Sequence, residues 1–190
     1  MPRSETLAHL AGLYAASEDP WNHRASPYEA AKYEATLAAI GPGPFENALE
    51  IGCGNGELAR RLAPRCRRLT AMECIPAAAG AARHSLGEFA QVEVLEGSAP
   101  GDLPKMRPDL VLLSEVLYFM TPKEIASLSQ WLNESAAGPI IAVNWTGPTD
   151  ETLTGTEAVD LLANGLVTER TDCFSTFRID VLAPAGRAFD

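Results

Sequence analysis

The chain has 190 residues, 46% of them hydrophobic, and a formal charge of −10. That is enough for one domain with a substantial core and an extension. An acidic chain repels phosphate backbones and anionic membranes, so no nucleic acid and no membrane surface is expected as a partner.

No apolar run reaches the roughly 18 residues a membrane span needs, and residues 1–5, Met1-Pro2-Arg3-Ser4-Glu5, lack the basic-then-apolar pattern of a secretory signal. The four cysteines, Cys53, Cys66, Cys74 and Cys173, show neither C-x-x-C nor a metal-ligand spacing. Reduced thiols, no metal site and a cytoplasmic location are therefore expected.

Residues 4–16 carry Leu7, Leu10, Ala11 and Tyr14 at helical spacing. A breaker, Ser17-Glu18-Asp19-Pro20-Trp21, follows. Ser26-Pro27-Tyr28-Glu29 reads as a helix start, with Ser26 as cap, Pro27 in the first turn and Glu29 completing a capping box. That helix runs to Ile40 and stops at Gly41-Pro42-Gly43-Pro44. Residues 1–44 thus form a helical extension, and residues 45–190 the main domain.

Strand patterns occupy 47–51, 68–73, 92–96, 110–114 and 139–144. Helices intervene: one after the glycines, an Ala-rich one over 77–86, and one opened by Thr121-Pro122-Lys123-Glu124. After the loop at 145–150, Thr154-Gly155-Thr156-Glu157 opens another helix, and β runs over 166–171 and 174–182 close the chain. Alternating β and α segments with apolar strands imply a parallel sheet covered by helices on both faces.

Such sheets bind ligands at the carboxyl ends of their strands. Those ends present 52–56, Glu73, 97–99, 114–119 and 144–145. The run Ala48-Leu49-Glu50-Ile51-Gly52-Cys53-Gly54-Asn55-Gly56, followed at once by helix, reads as strand, tight turn, helix. Such a turn admits a ligand close to the backbone and aims amides at it. Glu73 ends the next strand about 20 residues later, the spacing of an acid that binds ribose hydroxyls. A dinucleotide fingerprint requires glycine where Glu57 stands, which disfavours a nicotinamide cofactor. Glycines serving turn geometry alone are the alternative.

With Glu50 as its acid, E-x-G-x-G-x-G resembles motif I of the class I S-adenosylmethionine (SAM) methyltransferases. The resemblance implies a Rossmann-like, seven-stranded sheet whose last strand is antiparallel, SAM as cofactor and S-adenosylhomocysteine as product. It puts Glu50, Gly52, Cys53, Gly54 and Gly56 around the methionine and ribose, and Glu73 and Cys74 at the ribose. Ser98 and Ala99 come to the adenine, where many relatives have an acid in place of Ser98. Ser114 and Glu115 come to the sulfonium.

Asp19-Pro20-Trp21, Ser26-Pro27-Tyr28-Glu29, Lys32-Tyr33, Thr36-Leu37, Ser114-Glu115-Val116-Leu117-Tyr118 and Leu153-Thr154-Gly155-x-Glu157 look like the NodS-type N-methyltransferases. In that family the N-terminal segment folds over SAM. Trp21, Tyr28 and Tyr33 then become lid residues in contact with the cofactor, unless they only pin the extension to the domain. Glu115, Tyr118 and His23 become the catalytic candidates, with Asp150 a further candidate base.

The resemblance breaks at two places. Asn144-Trp145 stands where many relatives have His-Trp, and Gly155-Thr156-Glu157-Ala158-Val159 where they have Gly-Asp-Glu-Val-His. The acceptor it implies is a small molecule, first an amine. O-methylation of a small hydroxyl or acid stays open, as does a SAM-binding module without catalysis. Monomer and homodimer are both compatible.

Overall fold

The computed structural model describes residues 4–186. Residues 1–3 and 187–190, the outer ends of the two expected segments, lie outside the described residues, as does most of the 1–5 stretch. The strands are β1 (Ala48–Ile51), β2 (Leu69–Glu73), β3 (Val92–Glu96), β4 (Leu110–Ser114), β5 (Ile140–Trp145), β6 (Leu166–Cys173) and β7 (Phe177–Pro184). The helices are α1 (Ser4–Ala16), α2 (Pro27–Ile40), α3 (Glu57–Leu62), α4 (Pro76–Leu86), α5 (Pro122–Ser135) and α6 (Gly155–Ala163).

All seven strands form one sheet in the order β3-β2-β1-β4-β5-β7-β6. The first five are parallel, while β7 runs antiparallel to both β5 and β6. The order reverses between β1 and β4, which opens a crevice beyond their carboxyl ends. Register makes those ends level, with Ile51 opposite Met72 on one side and Leu113 on the other. Gly52, Glu73 and Ser114 therefore leave the sheet side by side.

Side chains alternate across the sheet. One face, including Ala48, Leu110, Leu112, Ile141 and Val143, packs against α2, α3 and α4 through Leu37, Leu58, Leu62 and Leu86. The other, including Leu49, Ile51, Val111, Leu113 and Ala142, packs against α5 and α6 through Ile125, Leu128, Leu132, Val159 and Leu162. Truncating one such fully buried leucine or isoleucine to alanine costs about 2–5 kcal/mol. The expected extension thus divides. Helix α2 belongs to the core, whereas α1 sets Leu10 and Tyr14 against Ile75 and Ala78 at the start of α4.

Both Thr121 with Glu124 and Thr154 with Glu157 form the complete reciprocal cap. The third expected capping box is only half made. Ser26 accepts from the Glu29 amide, but Ser26's own N–H already bonds Asn22 O at 2.9 Å, and the Glu29 carboxylate turns to Lys32. The last hairpin also differs from the expected 166–171 and 174–182. The Phe174 amide bonds Phe177 O, so residues 174–176 turn, β6 runs on to Cys173, and β7 starts at Phe177 and ends at Pro184. Among the described residues no helix is long and apolar enough to cross a membrane, and no cluster of His, Cys, Asp and Glu could hold a metal.

Candidate functional site

A cavity of about 540 Å³ lies over the crevice between β1 and β4. Its floor is the row of strand ends: Gly52 and Gly54, Glu73 and Cys74, Gly97 to Ala99, and Ser114 with Glu115. Its roof comes from α1 and the segment leading to α2, through Leu13, Tyr14, Trp21 and Tyr28. Its far wall is Trp145 and the loop through Asp150 and Glu151.

The glycine turn is shaped by close approach. A Cβ on Gly52 would lie 1.9 Å from Val116 Cγ1, and its φ of 80° suits a residue without a side chain. Gly56 does something other than face a ligand. It caps α3 in the left-handed region, and a Cβ there would stand 3.3 Å from Ala82 Cα, so it lets α3 and α4 pack. The wall of the larger cavity is made by Gly52 and Gly54.

Glu73 is held at the cavity edge by backbone donors. Its Oε2 accepts from Gly54 N at 2.9 Å and its Oε1 from Ile75 N at 2.8 Å. Burial raises its pKa, and the amides of Ile75, Gly54 and Cys74 work against that rise. Cys74 also lines the cavity, with its thiol pushed up to about 12 by burial and by Glu73. Ser98 and Ala99 are in the wall, and the Ser98 amide donates to Asp102 Oδ2 at 2.9 Å.

Glu115 follows β4 with a φ of 59°, a left-handed conformation that is unusual for a residue with a side chain. Its Oε1 is 3.1 Å from Lys32 Nζ. Its Oε2 accepts from the Tyr118 hydroxyl at 2.8 Å and from the Trp145 amide at 3.1 Å. Lys32 also reaches Glu29 Oε1 at 3.1 Å and sits 5.3 Å from the centre of the Tyr28 ring. Burial alone would lower the Lys32 pKa, but Glu115 and then Glu29 raise it further than that. Burial and Glu115 push the Tyr118 phenol well above its ordinary value. A carboxylate has about four lone-pair directions, and three donors already use Glu115.

Asp19 ties the roof to the floor. Its Oδ1 accepts from His23 N at 2.7 Å and from Asn55 Nδ2 at 3.0 Å, and its Oδ2 accepts from Arg24 N at 3.0 Å. Trp21 then stacks on His23 and meets Tyr14 edge-on, with ring centres 5.8 and 5.5 Å apart. On the other side Thr6 of α1 donates to the Glu151 carboxylate at 3.1 Å. Helix α1 is thus fastened across the cavity mouth.

Behind the glycine turn lies a smaller cavity of about 60 Å³. Gly52, Gly54, Lys32, Ser114 and Glu115 line both cavities, so the two adjoin. Glu50 faces the smaller one and is 1% exposed, and its Oε2 has no hydrogen-bond partner among the described residues. Burial, aided by Glu73, raises the Glu50 carboxyl to about 8. Tyr33 and Cys53 also belong to this smaller space rather than to the larger cavity. Tyr33 points inward from α2 into the core, under the Arg61 guanidinium at 5.3 Å and edge-on to His23.

The structure gathers Trp21, Tyr28, His23, Glu73, Cys74, Ser98, Ala99, Ser114, Glu115 and Tyr118 around the larger cavity. It adds Lys32 and Tyr14, which sequence reasoning had not placed at the site, and joins Lys32 to Trp145 through Glu115. Asn144, by contrast, points away: it is fully buried beside Gly155 of α6, with its amide unpartnered among the described residues.

The family model of Nodulation protein S (NodS) matches residues 8–132. Nodulation protein S of Sinorhizobium fredii (strain NBRC 101917 / NGR234) is 32% identical over 113 residues, 59% of this chain and 52% of that protein. That of Rhizobium tropici is 31% identical over 106 residues, 55% of this chain and 44% of that one. The chain thus spans about half the length of these relatives.

Among solved structures, N-methyltransferase NodS from Bradyrhizobium japonicum WM9 in complex with S-adenosyl-l-homocysteine superposes with a TM-score of 0.82 at 20% identity, over 95% of this chain and 97% of that one. The DhpI-SAM-HEP complex gives 0.76 at 16% identity, over 97% and 100%. At such identities the likeness carries the fold, which is the seven-stranded α/β methyltransferase fold.

Proposed function

Because the chain belongs to the NodS family, we propose that it is a methyltransferase with S-adenosylmethionine as cofactor and a small-molecule amine as acceptor. A single arrangement supports this most: Glu73, anchored by the Gly54 and Ile75 amides, stands beside the open backbone of Gly52 at the switch point of the sheet. A carboxylate there suits a pair of vicinal hydroxyls, and the cavity volume is in the range of small-molecule sites. The apolar side chains of Met72, Ile75 and Ala99 next to it suit a flat adenine ring. The relatives' names agree, in that a NodS N-methyltransferase binds S-adenosyl-l-homocysteine.

Bound there, the cofactor supplies an electrophilic methyl group on a sulfonium, which passes to a nitrogen lone pair by in-line displacement. The protein's part is to hold and align the acceptor, a contribution on the order of 7–11 kcal/mol. The aromatic faces of Tyr28 and Trp145 line the acceptor end and favour cationic groups. Glu115 acts as a fixed anion. With Lys32, Tyr118 and the Trp145 amide on its oxygens, about one acceptor direction is left for an N–H of the substrate.

A fixed carboxylate beside the nitrogen stabilises the positive charge that develops as the methyl arrives. It would oppose the ionisation of a hydroxyl or acid acceptor, so the site favours amines over O-methylation. Helix α1 and the segment holding Trp21 and His23 act as the lid.

The test is transfer of label from methyl-labelled SAM to a panel of primary amines, amino sugars included, with hydroxyl and carboxylic acid compounds beside them. Label on amines is expected. Label on hydroxyls or acids alone, or on no compound while S-adenosylhomocysteine still binds, would overturn the amine reading.

A further inference from the structure

We propose that His9 of α1 is the proton acceptor of the reaction: it takes a proton from an acceptor that enters as an ammonium ion and passes it to solvent. This rests on the reading of the acceptor as an amine.

An alkyl ammonium has no lone pair to attack with, and near neutrality an alkyl amine is almost wholly in that form. One proton must therefore leave the nitrogen before the methyl arrives. The groups on the floor do not take it. Glu115 already accepts from Lys32, Tyr118 and the Trp145 amide, and Glu29 is bonded to Lys32. Lys32 and Tyr118 keep their own protons. Burial works against the lysine's charge, but Glu115 and Glu29 outweigh it, while burial and Glu115 both raise the phenol. Burial and Glu73 likewise keep Tyr14 and Cys74 protonated, and Glu73 is held by the Gly54 and Ile75 amides. Asp150 and Glu151 on the far wall are carboxylates, and a carboxylate is a poorer proton acceptor near neutrality than an imidazole.

Two imidazoles line the cavity, His9 and His23. His23 is stacked on Trp21 and lies edge-on to Tyr33, with ring centres 5.8 and 6.3 Å away, and it also borders the small space behind the glycine turn with Asn55 and Glu57. Its neighbours are thus the turn and the roof. His9 comes in from another side. Successive residues advance about 100° around a helix, and Leu7, Leu10 and Tyr14 form the flank of α1 that packs on Ile75 and Ala78. His9 is on the opposite flank, turned away from α4. Thr6, one turn before it, bonds the Glu151 carboxylate and so sets this turn of α1 against the far wall, which Trp145 also forms. That is the acceptor end of the cavity. His9 is also exposed, so a proton taken inside can be handed to water.

In the step itself an N–H bond of the ammonium breaks, its electron pair stays on nitrogen, and the proton bonds to the imidazole. The freed pair attacks the methyl carbon as the carbon–sulfur bond breaks and its pair goes to sulfur. The product leaves as a methylated ammonium, and the imidazolium returns its proton to solvent.

The test measures turnover from pH 6 to pH 9 with the primary alkyl amine that takes label fastest, for the unaltered chain, His9→Gln and His23→Gln. At pH 7 His9→Gln should lower kcat about 10²–10⁴-fold, with the Kd for S-adenosylhomocysteine in calorimetry unchanged. Free amine increases about tenfold per pH unit below its own pKa. The rate of His9→Gln should therefore climb by that factor per unit from pH 7 to pH 9 and close on that of the unaltered enzyme. Added imidazole should restore part of the rate of His9→Ala at pH 7. An unchanged kcat, a loss of the same size at every pH, or a pH-dependent loss in His23→Gln instead overturns the proposal. Failure of every amine to take label would strike the amine reading itself.

Discussion

Replacing Lys32 by methionine keeps the length and apolar stem of the side chain and removes its charge. Lys32 is 5% exposed and lies 3.1 Å from a carboxylate oxygen of Glu29 and of Glu115. Without it two carboxylates face each other in a largely dry space. Removing one member of a buried pair costs about 3–5 kcal/mol. The Glu115 side chain is 22% exposed and regains some hydration, so a loss of about 2–4 kcal/mol is expected.

In a chain of this size each kcal/mol moves the unfolding midpoint by about 2–4 °C, which gives a drop of about 4–16 °C. Urea and thermal unfolding followed by circular dichroism read it directly, and adding Glu29→Gln to the Lys32→Met background should recover part of the loss. The pH dependence has a definite sign. The folded pKa of Lys32 is raised above its ordinary 10.5, so its stabilisation is complete below that value and fades only as pH climbs through the folded pKa. The deficit of the variant should therefore be constant between pH 6 and pH 9. A loss below about 1 kcal/mol, or one that vanishes at high salt as a surface pair's would, refutes the description of this cluster.

Glu73→Ala should weaken S-adenosylhomocysteine binding at least tenfold in calorimetry; an unchanged Kd would remove Glu73 from the ribose. Trp21→Ala should impair binding or turnover with the fold intact, whereas a lower melting temperature alone would make Trp21 a packing residue. Gly52→Ala places a methyl against Val116 in a left-handed backbone, so a loss on the order of 2–5 kcal/mol is expected, partly restored by adding Val116→Ala; no loss contradicts the close approach. Glu50 has a folded pKa of about 8 against an ordinary 4.5, so it favours the folded state most below 4.5 and loses that contribution as pH rises through 8. The ligand-free protein should therefore fall in stability relative to Glu50→Gln by on the order of 1 kcal/mol per pH unit between pH 5 and pH 8, and a constant difference in urea unfolding would refute the buried, unpaired carboxyl.

The fold was legible where the chain punctuates itself. Thr121 with Glu124 and Thr154 with Glu157 mark helix starts by residue type alone, and the apolar runs ending at Ile51, Glu73 and Ser114 mark strands whose ends meet. The half-made cap at Ser26 was not legible, because the competitor for its amide, Asn22 O, arrives by a turn with no strong sequence signal.

At the site, Glu73 and the glycines could be read from spacing, while Lys32 stood in a quoted segment with no role of its own read for it. A signal did exist: the buried stripe of α2 runs Glu29, Lys32, Tyr33, Thr36, Leu37, Ile40, and an acid and a base begin an otherwise inward-facing stripe. Charges on such a face need partners, and the partner of Lys32 is Glu115, far away in sequence. Tyr33 lies on the same inward-facing stripe. An aromatic in an extension reads as lid until the helix carrying it proves to be part of the core.

The most direct measurement is calorimetric titration of the purified protein with S-adenosylhomocysteine, with NADH as the control. Micromolar binding of S-adenosylhomocysteine and none of NADH is the predicted result. Binding of NADH, or no binding of S-adenosylhomocysteine, would contradict the assignment of the cavity between Gly52 and Glu73 and the functional account built on it.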